Sequence, residues 1–98
     1  MANKTELVEF LDRRVFDPIL RTTDSGGSEH EKKELKEVQD KTQTEKERYN
    51  DYPSAEKVVE MYRSDLSSDN AREVNAKLKR LNLPILADVK DEFLKLAG

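Results

Sequence analysis

Between Glu29 and Arg48, thirteen of twenty residues carry a charge and only two, Leu35 and Val38, are apolar. So few apolar side chains cannot be wrapped by a core on every side, and burying them contributes little at about 25 cal/mol per Å². The stretch can still be a helix. Opposite charges stand four apart at Glu29 and Lys33, Lys33 and Glu37, Lys36 and Asp40, and Glu37 and Lys41. Each such pair favours helix by about 0.2 to 0.5 kcal/mol. Ser28 with Glu31 three residues on has the spacing of a capping box. The pattern predicts a long charged second helix over 29–50.

Within that helix Leu35, Val38, Thr42, Glu45, Tyr49 and Tyr52 recur at alternating intervals of three and four, a heptad seam whose middle two positions are polar. Two readings compete. A solvated helix that touches the rest of the chain only at its ends accounts for the composition. A poorly anchored helix that recruits a partner accounts for it as well, with Leu35, Val38, Tyr49 and Tyr52 as the contact. On the second reading, Leu35→Asp or Tyr49→Asp leaves the monomer folded and abolishes the association.

The remaining sequence reads as helical too. Seven Val and two Ile are scattered without alternation, and no Asn-Gly or Asp-Gly hairpin turn occurs. Asn3 and Glu6 open a first helix over about 4–16, with Leu7, Val8, Leu11 and Val15 on one face and a break or restart expected at Pro18. Residues 21–28 read as a flexible connector. Ser54 caps a third helix striped by Ala55, Val58, Val59, Tyr62 and Leu66. Asn70 is expected to cap a fourth, carrying Ala71, Val74, Leu78 and Leu81, and Pro84 to sit at the first position of a fifth, carrying Leu86, Val89, Phe93 and Leu96. The expected fold is all-α, one small irregular bundle of four to five helices, with residues 54–98 its best-defined part.

Several function classes recede on composition. The chain has no Cys, which removes disulfide scaffolds and thiolate metal sites. No apolar run approaches the roughly 20 residues that cross a bilayer, and MANKTELVEF is charged where a signal peptide is apolar. The chain is expected to be cytoplasmic and complete, without a membrane contact. With 18 Lys and Arg against 21 Asp and Glu, the net charge of −3 gives no global attraction to nucleic acid.

Chemistry has few footholds. His30, the one histidine, lies among Glu29, Glu31 and Glu34, and His30 with Glu34 makes two ligands of a metal site with nothing to complete it. The carboxylate groups at Glu29/Glu31/Glu34, Glu45/Glu47 and Asp88/Asp91/Glu92 stand outside apolar runs and are expected to be solvated, at ordinary pKa values. The connector ending in Ser28 lacks the strand, glycines and basic residue of a phosphate loop. Arg72, Lys77, Lys79 and Arg80 concentrate positive charge on the helix over 70–82, where turns on both sides make a helix-turn-helix reading geometrically possible.

The expectation is therefore a non-catalytic, cofactor-free module that binds another protein, or itself, through helical surfaces, with Leu35, Val38, Tyr49 and Tyr52 as the contact. The alternative is a nucleic-acid-binding regulator using Arg72, Lys77, Lys79 and Arg80. A small enzyme or metal-binding protein is the second alternative.

Overall fold

Asn3 starts the first helix by accepting the Glu6 N–H on its side-chain oxygen at 2.9 Å. In the computed structural model, which describes residues 2–23 and 28–98, this helix (α1) runs over 4–21. It does so in three joined parts: α-helical Lys4–Leu11, a π turn at Asp12–Phe16, and α-helical Asp17–Arg21. The π turn answers the problem posed by Pro18. A proline ring inside an α-helix removes a hydrogen bond and clashes with the carbonyl four residues back, here that of Arg14. One turn is widened so that the Asp17 N–H donates to the Asp12 carbonyl, and Pro18 then falls in the first turn of a new α-helical segment. The backbone stays in the right-handed helical region through both junctions. Residues 24–27, on which much of the expected connector falls, lie outside the described residues.

Ser28 caps α2, Glu29–Asp51, by accepting from Glu31 N–H at 3.2 Å. Ser54 does the same for α3, Ala55–Ser67, through Lys57 N–H. The cap of α4, Asp69–Arg80, is Ser68 rather than Asn70, because the Ser68 hydroxyl accepts from Ala71 N–H at 3.2 Å. Asn82 then takes φ 64°, and the N–H groups of Asn82 and Leu83 bond the carbonyls of Lys79 and Leu78. That is a Schellman ending with Asn in the left-handed position usually held by Gly. Pro84 does not open the last helix. The Ile85 N–H donates to Asp88 Oδ2 at 3.0 Å, and α5 (86–97) begins there with a 3₁₀ turn, Leu86–Val89, before α-helical Lys90–Ala97. The described residues are 84% helical, in five helices and without a strand.

The apolar stripes pack as their spacing predicts. Leu7, Val8, Leu11, Val15, Phe16 and Ile19 of α1 are buried with Val58 and Tyr62 of α3, Leu78 of α4, and Val89 and Phe93 of α5. Tyr62 stacks on Phe93 with ring centroids 4.1 Å apart, and its hydroxyl donates to the Leu86 carbonyl.

The charged helix departs from expectation. α2 packs against both α1 and α4, and Leu35, Val38 and Tyr49 are 8%, 0% and 0% exposed. Polar contacts hold it along its length. Gln39 Nε2 donates to the carbonyls of Ile19 and Thr22 at the end of α1, at 3.0 and 2.8 Å. Lys46 pairs with Asp17 at 2.7 Å. Neither a helix touching only at its ends nor a free seam describes it, because these anchors come from residues on other helices that no periodicity along α2 displays. An aspartate at position 35 or 49 would sit in the core, so those variants lose the fold rather than an interface.

Candidate functional site

The two polar positions in the α2 seam mark a gap in the core. Beside Thr42 and Glu45 a cleft of about 300 Å³ opens between the π turn of α1, the middle of α2, the end of α3 and the first turns of α4. Its apolar lining includes Val15, Phe16, Ile19 and Leu78, all otherwise core residues, with Leu66, Val74 and Leu86. Its polar lining includes Lys41, Thr42, Glu45 and Arg48 of α2, Asp65 of α3, and Ser68, Asn70 and Asn75 around the start of α4. The π turn supplies Val15 and Phe16; such turns recur at functional sites.

Two carboxyls meet at the wall. Asp65 Oδ2 accepts from the Tyr49 hydroxyl at 2.7 Å and from Arg48 at 3.0 Å. Glu45 lies 3.6 Å from Arg48 and faces Asp65 closely enough to share a hydrogen bond with it. Burial pushes the Glu45 carboxyl up to about 7, the Asp65 charge adds to the rise, and Arg48 opposes it. One cation therefore faces two carboxyls, and the deficit is made up by a proton on Glu45 over the acid side of neutrality. Burial and the bond to Asp65 hold the Tyr49 hydroxyl well above its ordinary range, so it stays a donor. Thr42 is 4% exposed and lines the cleft, with its hydroxyl oxygen not sealed away from it.

The other ionic cluster on α2 is closed. Glu34 Oε1 takes Arg80 of α4 at 3.1 Å and His30 Nε2 at 2.8 Å. Burial works to raise the Glu34 carboxyl, but Arg80 and His30 outweigh it and hold it below the ordinary range. Lys77 bonds Glu37 at 3.1 Å and stands 3.8 Å from Glu73. Two of the four basic residues proposed to meet nucleic acid, Lys77 and Arg80, thus join α4 to α2, while Arg72 and Lys79 are exposed. Among the described residues no three or more His, Cys, Asp or Glu side chains gather as a metal would need.

The predicted contact residues are therefore together but turned inward. Tyr49 packs on Phe16 and Tyr52, at centroid distances of 5.7 and 5.2 Å, and Tyr52 is half-buried. The expectation of solvated carboxylates at ordinary pKa fails at Glu45, because α3 brings Asp65 against it. Asp65 escaped sequence reasoning, since it stands in the apolar stripe of α3 only one residue from Leu66. The available signal was Thr42 and Glu45 at core-facing seam positions.

Comparison with protein-family models, curated proteins and solved structures finds no match to this chain. No helix among the described residues is long and apolar enough to cross a membrane.

Proposed function

We propose that the protein is a non-catalytic binding module that seats part of another protein in the cleft beside Thr42 and Glu45. One observation carries this reading: a cleft of about 300 Å³ beside Thr42 and Glu45 has an apolar floor that reaches the core side chains Val15, Phe16, Ile19 and Leu78. Apolar lining with a few convergent polar groups is the usual composition of a binding site. Leu35, Val38, Tyr49 and Tyr52 of the seam do not line the cleft; they fix the helix that forms one wall.

The test is a set of peptides selected against the folded protein, with their contacts mapped by amide chemical shifts. Binders are expected to perturb Val15, Ile19, Thr42 and Val74, and Ala71→Trp, which fills the cleft from α4, is expected to weaken them about tenfold with the helical content unchanged. Binders that map elsewhere and ignore Ala71→Trp would overturn the reading.

Acid–base catalysis is a second reading, favoured by the Glu45 carboxyl at about 7 in an open cleft. Binding is preferred because Arg48 and Tyr49 both direct donors to Asp65. They are already engaged there, whereas catalysis needs donors aimed at the charge that develops on a substrate.

A further inference from the structure

We infer that the occupant of the cleft is a lysine or arginine side chain of the partner protein, with its stem on the apolar lining and its charge between Glu45 and Asp65. This rests on the cleft being a protein-binding site, and it names what the cleft recognises.

Charge supplies the first argument. Glu45, Asp65 and Arg48 form a cluster that carries a net −1 when both carboxyls are ionised, so it is completed by a single added cation. Burial makes an uncompensated second carboxylate costly, and a proton on Glu45 relieves it. The second argument is independent of charge. The Thr42 side chain is 4% exposed and lines the cleft, its oxygen is not sealed away from it, and no hydrogen bond to another described residue engages the hydroxyl, so it is free to bond an occupant. An ammonium or guanidinium group has donors for Thr42 and for both carboxyls.

The shape argues in the same direction. Long basic side chains carry an apolar stem behind a charged head, and the cleft offers an apolar lining behind a carboxyl pair. An anionic occupant would meet these carboxyls with Lys41 as its counter-charge, since Arg48 is bound to Asp65. The groups facing Glu45 are Arg48, Tyr49 and Tyr52 at its own end of α2 and Asp65 on α3, with Lys41 one turn earlier on α2 also lining the cleft; α1 presents apolar Val15, Phe16 and Ile19, and α4 presents neutral Asn70 and Asn75. Cation entry therefore displaces the proton shared at Glu45, and binding strengthens as pH rises through neutrality.

The probes are n-butylammonium and n-butylguanidinium, which copy the two side chains, against 1-pentanol, a neutral chain of similar size. Each is titrated into the full-length protein at pH 8 and pH 5.5 with amide shifts as the readout. Both cations are expected to perturb Thr42, Glu45 and Asp65, to bind about tenfold or more tightly at the higher pH, and to outcompete the alcohol. Glu45→Gln should abolish the pH dependence and weaken the cations while leaving the alcohol unaffected. Alcohol and cations binding alike at both pH values would overturn the inference and leave the cleft standing as a site. No perturbation of the cleft by either cation at pH 8 would also overturn it, whatever the selected peptides do. In those peptides, replacing Lys or Arg by norleucine should cost about tenfold at one position, and indifference at every position overturns the inference too.

Discussion

Glu34 and Glu45 stand about three turns apart on the inward side of α2, and their carboxyls are displaced in opposite directions. Burial disfavours the charge at both. At Glu34, α4 contributes Arg80 and the helix itself contributes His30, so the charge is held. At Glu45, α3 contributes a second carboxyl, Asp65, and Arg48 is shared between the two. The same residue type on the same helix face closes a joint in one place and leaves an uncompensated group beside a cleft in the other. What differs most is the side chain presented by the neighbouring helix, Arg80 at Glu34 and Asp65 at Glu45.

The broadest challenge to this comparison is to the premise that α2 is welded in place. Val38 is fully buried between the two glutamates. Val38→Asp should cost about 4 kcal/mol or more and abolish cooperative unfolding as followed by circular dichroism. A folded Val38→Asp protein would mean that α2 detaches freely and that neither glutamate is fixed by its neighbours.

Glu45→Gln separates the two sites by pH. A carboxyl raised in the folded protein binds its proton there when the unfolded chain has lost it, so stability falls as pH rises from the ordinary value of 4.5 to about 7 and stays lower beyond. That rise corresponds to about 3 kcal/mol. Glu45→Gln keeps a donor for Asp65 and should be the more stable protein by up to about that amount at pH 8, with little difference at pH 4.5, in urea unfolding.

Glu34 has the opposite sign and the smallest effect. Its lowered carboxyl contributes stability that is present above pH 4.5 and lost as pH falls through the folded value. Arg80→Ala should lower Tm by a few degrees at pH 7 and flatten the loss on acidification. An Arg80→Ala protein that keeps the wild-type acid profile would show that the Arg80 contact does not govern Glu34.

Most of the helical frame was legible in the chain. Asn3, Ser28 and Ser54 cap where their spacing indicates, and the stripe from Leu7 to Ile19 is buried throughout. Boundaries shifted where a competing cap existed, as with Ser68 ahead of Asn70. The environment of α2 was not legible. Its anchors are Gln39 to the end of α1, Lys46 to Asp17, and Glu34 and Glu37 to α4, polar contacts that join residues distant in sequence. The cleft was half legible. Thr42 and Glu45 interrupt the seam in plain view, but only the packing of α3 reveals that Asp65 answers Glu45.

The Ala2 N–H bonds the Leu96 carbonyl at 3.3 Å, so the chain enters and leaves the bundle at one spot. Neighbouring ends make a polypeptide easy to splice, because a short bridge spans them without bending either helix and a host protein can carry the whole bundle as an excursion from one surface turn. The cleft beside Glu45 and the point of attachment are then separate parts of the same small body, for neither Ala2 nor Leu96 lines the cleft.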